Sequence, residues 1–317
     1  MSTFESKLRK FKKGIKSTSV DTYLRNIKRL YLLSPHSSSK KEIPENDSKW
    51  LKSKDLLSKV KKEPLNIRRH LTNAAKVSLG VYKEESEEWN ALQKSSMKEF
   101  DELRKERKMS QKQKDKIPKQ GFSALGKVAK QMKKELSHIL TTPHKDWKLK
   151  DLMRVQELLV ISLYEDRPLR LDFATLRVGQ NEEKEQEKEE NKIFKKKKPK
   201  GWRITLSDFK TSGSLGTQEF KLNLKNQRLL NKFIPASQRL TTHGYLLSNR
   251  NGGKMSKQVL SKLITKITRH RIGKGFSVQL IRILFAMQHR KTLETAQEVS
   301  QKLMHSAKQS LQYSKKD

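Results

Sequence analysis

Near the end of the chain an arginine, a histidine and a tyrosine stand in an order that suits attack on a phosphodiester. Arg282 follows Gln279 in Gln279-Leu280-Ile281-Arg282, His305 comes some two dozen residues later in Leu303-Met304-His305-Ser306, and Tyr313 sits in Leu311-Gln312-Tyr313-Ser314-Lys315. Cutting DNA without a metal requires a positioned nucleophile, cations that balance charge on the phosphate oxygens, and an acid that protonates the leaving sugar oxygen. The chain offers a candidate for each role. Tyr313 is the nucleophile. Arg170 and Arg282 are the clamps, because the planar guanidinium fork donates two hydrogen bonds to one phosphate where a lysine offers a point charge. Lys210, beside a glycine-containing bend, is the candidate general acid, and His305 the donor to a non-bridging oxygen. Gln279 and Arg282 are three apart and share a helix face, while Ile281, Leu284 and Phe285 anchor another face in the core. The sequence contains no cysteine, which excludes a thiolate nucleophile, a zinc finger and a disulfide framework. No metal ligand set accompanies these residues, so neither metal nor other cofactor is expected.

The elements that position them follow from patterning. Val20, Tyr23, Leu24, Ile27, Leu30 and Tyr31 recur at helical spacing behind the capping residue Ser19, which predicts a basic amphipathic helix. Further helical patterns run through Ile67, Leu71, Ala74, Ala75 and Leu79, and around Trp89 and Leu92. Residues 1–100 are therefore expected to form a helical DNA-binding domain, 101–121 a charged linker, and 122–317 a catalytic domain. In the last, Leu152, Val155, Leu158, Leu159, Ile161 and Leu163 predict a helix buried nearly all round, which delivers Arg167-Pro168-Leu169-Arg170 to its C-terminal end. Residues 182–200 are acidic and then basic, and read as a charged insertion with almost nothing to bury. Trp202, Ile204 and Leu206 alternate as in a strand, as do Phe220, Leu222 and Leu224, so a hairpin is expected with Lys210 at its bend. Helical patterns over 256–269 and 276–289 complete the chain. The fold class is thus mostly α with a small antiparallel β-sheet, α+β, in two domains expected to close on DNA as a clamp.

Composition names the partner. Seventy-two Lys and Arg against 34 Asp and Glu leave a formal net charge of +38 over 317 residues, a load that repels itself unless a polyanion neutralises it. Double-stranded DNA is the expected partner. A membrane surface is the other common polyanion, but no apolar run approaches the ~20 residues that span a bilayer. The opening residues lack a signal-peptide pattern, so a protein that is not secreted is expected. No small-molecule substrate is implied.

The stretches ISLYEDRPLRLDF, FKTSGSLGTQEF, GYLLSNRNGG, FSVQLIRILFA and LMHSAKQSLQYSK resemble the successive boxes of tyrosine recombinases and integrases. The Pro-Leu-Arg-x-Asp-Phe and Lys-Thr-Ser-x-x-x-Gly-Thr-Gln-Glu forms look most like those of large DNA viruses, virophages and Polinton-like elements. The resemblance spans residues 150–315, and a Ser-Gln-Lys-Gln-Lys linker from Ser110 to Lys114 is similar to those that precede the catalytic domain in such proteins. It implies a catalytic set of Arg170, Lys210, Gln279, Arg282, His305 and Tyr313, acting through a covalent 3′-phosphotyrosine without metal or nucleotide. It also implies a dimer or tetramer on DNA, and action in a host nucleus or viral factory during integration of a viral genome or mobile element. Gln279 stands where the family usually has histidine; its amide can donate a hydrogen bond but cannot exchange a proton. Ile283 replaces a second histidine, a change of packing more than of chemistry. Arg167-Pro168 could also align with an Arg-Pro box, but Leu171-Asp172-Phe173 after Arg170 matches the viral form. Only Ser314-Lys315-Lys316-Asp317 follow Tyr313, so assembly is expected to use surfaces other than a long C-terminal helix. A type IB topoisomerase shares the tyrosine chemistry, but its small viral forms begin with a β-rich domain rather than the helices read here. A non-catalytic DNA-binding protein derived from a recombinase would explain the charge but would not need five boxes in order.

DNA binding releases condensed counterions, so affinity should fall by several decades between roughly 50 and 200 mM salt if on the order of 6–10 phosphates are contacted. Fluorescence-anisotropy titrations across that range test it; a flat response would assign the charge another purpose.

Overall fold

The computed structural model describes residues 3–15, 17–37, 42–106, 109, 111–179, 190–197, 200–289 and 303–304. The chain divides into two compact units, Met1–Glu106 and Arg107–Asp317. His305 and Tyr313 lie outside the described residues.

The first unit contains α1 (Thr3–Phe11), α2 (Ser17–Leu33), α3 (Lys54–Lys62), α4 (Leu65–Tyr82) and α5 (Glu87–Lys105). The helical spacing read in α2 puts Val20, Ile27, Leu30 and Tyr31 in the core, with Leu71, Ala74, Ala75 and Leu79 of α4. Trp50 and Trp89 fill its centre, and each indole N–H finds an acceptor: Trp89 donates to the Leu51 carbonyl at 2.8 Å and Trp50 to the Tyr82 hydroxyl at 3.4 Å. Tyr82 in turn donates to the Pro44 carbonyl, and burial pushes its phenol up to about 12. Ser53 and Ser86 accept from Leu56 and Trp89 backbone N–H groups, capping α3 and α5. Helices α1 and α3 are not anticipated by the sequence pattern. Each buries only one pair four residues apart, Phe4 with Leu8 and Leu56 with Val60, too short a stripe to stand out among lysines. Helix α5 continues through Lys105, so the charged stretch after residue 100 begins as its last turn.

The second unit contains α6 (Gln111–Lys114), α7 (Ser123–Glu135), α8 (Ser137–Thr141), α9 (Leu149–Asp166), α10 (Ser212–Leu215), α11 (Leu224–Leu240), α12 (Lys257–Ile272) and α13 (Val278–Gln288). Among them runs a sheet of β1 (Arg177–Val178), β2 (Lys192–Lys196), β3 (Gly201–Leu206) and β4 (Gln218–Lys221), in that order. Helix α9 is the central element, with Leu152, Val155, Leu158, Leu159, Val160, Ile161 and Leu163 all buried against its neighbours. The Asp151 carboxylate accepts from the Lys148 N–H at 3.0 Å and starts it. Pro168 ends it, because the residue before a proline avoids the α region and Arg167 is accordingly extended. No helix among the described residues is long and apolar enough to cross a membrane.

The sheet departs from expectation in three ways. It is mixed rather than antiparallel, since β1 pairs parallel with β2 while β2–β3 and β3–β4 are antiparallel. Strand β2 lies inside the stretch 182–200 read as a charged insertion, so that stretch is not dispensable as a whole. Composition misled there: Ile193 and Phe194 are a lone apolar pair among charges, yet Ile193 is fully buried opposite Ile204, which itself faces Phe220. The hairpin also ends earlier than its alternation suggests. Asn223 accepts from the Asn226 N–H and starts α11, leaving Leu224 67% exposed on the helix rather than in the strand. Pro235 and the interspersed basic residues hid that helix, whose buried face is Leu230, Phe233, Ile234 and Ala236.

Because β2 is held by the burial of Ile193, Ile193→Ala should cost about 2–5 kcal/mol of unfolding free energy. Urea unfolding of the full chain measures it; an unchanged midpoint would mean that the strand does not support the core.

Candidate active site

Helix α13 is buried on almost every side, and its one cation is buried with it: Arg282 is 1% exposed. A guanidinium out of water must spend its N–H groups on acceptors. It donates to the Pro168 carbonyl at 2.8 Å and to the Leu303 carbonyl at 2.7 Å. The first acceptor exists because Pro168 ends α9 at that point. The second lies one residue before Met304, whose carbonyl accepts from the Arg170 guanidinium at 3.0 Å and from the Thr211 hydroxyl at 2.9 Å. Two arginines from distant elements and the residue after Lys210 thus meet on consecutive carbonyls. Met304 takes φ of 54°, a left-handed conformation that non-glycine residues rarely adopt, and its side chain is buried.

Arg170 is positioned by its own backbone. The Tyr164 hydroxyl, carried on the last turns of α9, donates to the Arg170 carbonyl at 2.5 Å, and the Tyr164 ring meets Phe173 edge-on at 5.1 Å. Burial pushes the Tyr164 phenol well above its usual value, and the nearby Asp172 adds to the rise, so it remains a hydroxyl donor. Asp172 opens a short 3-10 turn, Asp172–Thr175, two residues after Arg170. Burial raises its carboxyl above the ordinary range, against the pull of Lys257, Arg170 and Arg282, in that order. Arg167, the alternative clamp, faces elsewhere: its guanidinium stacks over the Phe220 ring of β4 at 4.1 Å from the centroid.

The other described candidates are placed differently. Lys210 is exposed, between the buried Phe209 and Thr211, and its loop lies beyond the last β3–β4 pair, Leu206 with Gln218. Gln279 is exposed on the first turn of α13, which Ser277 caps through the Leu280 N–H. Ile283 is buried, in keeping with a packing role. Arg170, Arg282 and the Lys210 loop are therefore brought together around residues 303 and 304; His305, the next residue in the sequence, and Tyr313 lie outside the described residues. Among the described residues no group of three His, Cys, Asp or Glu side chains could hold a metal. Tyr164, Asp172 and Thr211 were not singled out by sequence reasoning. All three sit within the motifs quoted there, but Tyr164 looks like any other apolar position of α9.

No protein-family model matches this chain, and no curated protein matches it in sequence. Solved structures do match. A XerH site-specific recombinase bound to its difH substrate, in a pre-cleavage complex, superposes with a TM-score of 0.56 at 14% identity, covering 98% of this chain and 82% of that one. A lambda integrase dimer bound to a COC′ core site superposes with a TM-score of 0.50 at 12% identity, covering 98% of this chain and 94% of that one. The mostly helical second unit with its small mixed sheet has the fold of the tyrosine-recombinase catalytic domain.

Proposed function

We propose that this chain cleaves and rejoins duplex DNA at a specific site through a 3′-phosphotyrosine formed at Tyr313, as a tyrosine recombinase or integrase. The observation that carries the reading is the convergence of Arg170 and Arg282 on the carbonyls of Met304 and Leu303, with the Lys210 loop joined to the same point through Thr211. Two forks fixed around one spot suit a phosphate whose oxygens gain charge during attack. Tyr313 Oη attacks phosphorus, its proton passing to water; the P–O5′ bond breaks, and Lys210 gives a proton to the departing oxygen. His305 and Gln279 donate hydrogen bonds to the non-bridging oxygens. The roles of His305 and Tyr313 rest on sequence order. Rejoining is the reverse, with a 5′-hydroxyl from a second duplex. The fold shared with two DNA-bound recombinases and the charge of +38 support DNA as substrate. On this reading the chain works as a dimer or tetramer on DNA, without metal or nucleotide, for a virus or mobile element in a host nucleus or viral factory.

Incubation with a labelled nicked suicide duplex in EDTA should give a covalent protein–DNA adduct that Tyr313→Phe abolishes while DNA affinity stays nearly unchanged. An adduct surviving in Tyr313→Phe would remove the nucleophile assignment. Cleavage lost on chelation and restored by magnesium would indicate a nuclease.

The two arginines at the end of α9 should separate cleanly. Arg170→Lys keeps the charge and loses the fork, so single-turnover cleavage should fall on the order of a hundredfold or more. Arg167→Lys loses mainly its stacking on Phe220, which lowers stability by about 0.5–2 kcal/mol and changes cleavage little. Exchanged phenotypes would shift the clamp to Arg167.

A further inference from the structure

We infer that Asn191 is a positioning residue that sets the Lys210 loop against the Arg170 segment; this rests on the function proposed above. Asn191 is 3% exposed and lies just before β2, in the stretch that reads as a charged insertion. Its side-chain amide is fully used. Oδ1 accepts from the backbone N–H groups of Ser207 and Asp208, both at 3.0 Å. Nδ2 donates to the Asp208 carbonyl at 2.7 Å and to the Thr175 hydroxyl at 2.9 Å. Two backbone N–H groups cannot accept, so the opposite orientation of the amide is ruled out. The backbone of Asn191 is tied as well, its carbonyl accepting from Arg177 N–H at 2.9 Å at the start of β1.

What the amide joins gives it a role beyond packing. Thr175 donates its hydroxyl proton to the Asp172 carbonyl at 2.8 Å, two residues past Arg170. Ser207 and Asp208 open the loop that leaves β3 after the ladder has ended. From Asp208 the chain passes the buried Phe209, exposes Lys210, and returns through Thr211 to the Met304 carbonyl that Arg170 also holds. Lys210 is suspended between an anchor at Asn191 and an anchor at Met304, and both anchors lead back to the Arg170 segment. A lysine is long and rotamer-rich, and a proton donor must come within about 2.6–3.2 Å of its acceptor. An exposed loop that lacks ladder bonds would not hold it there without such ties.

The test separates proton transfer from everything else. Two duplexes are compared in single-turnover cleavage by the full chain, identical except that one carries sulfur in place of the 5′-bridging oxygen at the scissile phosphate. A thiolate departs without a proton, so a defect confined to Lys210 disappears on the sulfur duplex. Asn191→Ala should slow cleavage of the oxygen duplex on the order of ten- to a hundredfold, the scale of a misplaced catalytic group, and cleave the sulfur duplex within a few-fold of the unaltered chain, as Lys210→Ala should. Asn191→Asp, which keeps the shape and both contacts to the N–H groups but turns a lone pair toward the Asp208 carbonyl, should show the same pattern. Equal slowing on both duplexes, or no slowing on either, overturns the inference. An unaltered chain that cleaves neither duplex brings down the function itself, and the inference with it.

Discussion

The burial of one positive charge organises the second unit. Arg282 sits in a helix whose other residues are almost all core, and at 1% exposure water contributes nothing to its solvation. Leaving such a group without acceptors would be strongly destabilising. Each acceptor comes from a different part of the chain: the Pro168 carbonyl from the break that ends α9, the Leu303 carbonyl from a segment far on in sequence. Satisfying one guanidinium therefore ties the end of α9 to the segment that holds residues 303 and 304. Once Leu303 is placed, the Met304 carbonyl is presented to Arg170 and Thr211, and the left-handed backbone at Met304 is the strain that this arrangement tolerates.

Much of this was legible in the residues, and the rest was hidden for identifiable reasons. Helix α9 was readable because a helix buried all round leaves a dense apolar run, and α2 and α4 because their stripes keep a 3.6-residue period over several turns. The mixed sheet was not. Strand β2 is five residues of Lys-Ile-Phe-Lys-Lys, and a strand that buries one isoleucine among lysines looks like solvated chain. Its parallel pairing with β1 joins segments separated by residues 180–189, a long-range choice that local alternation does not encode. Helix α11 was obscured by Pro235 and by Leu224, which is apolar, exposed and in phase with the preceding strand.

The candidate site divides along similar lines. Residue types announced Arg170 and Arg282, since guanidinium is the group suited to a phosphate, and Arg170 was separable from Arg167 only by the residues that follow it. In space the distinction is plain, because Arg167 lies on the Phe220 ring while Arg170 reaches Met304. The supporting groups were invisible. Tyr164 occupies an apolar position of α9, and Asn191 stands in a run of charges; neither type nor spacing marks their hydrogen bonds to backbone carbonyls 6 and 17 residues on.

The same contacts bear on how a cationic site remains ordered in so basic a chain. Burial raises the Asp172 carboxyl, while Lys257, Arg170 and Arg282 all pull it down. The acceptors that hold the two forks include three carbonyl dipoles, at Pro168, Leu303 and Met304. A dipole holds a guanidinium in geometry without cancelling its charge, and hydrogen bonds to an ionised acceptor are roughly twice as strong as those between neutral groups. On the proposed function, that uncancelled charge is already held in place when the phosphate arrives, so little reorganisation is needed when charge develops. The buried arginine is then both the constraint that shapes the fold and the source of the field the reaction uses.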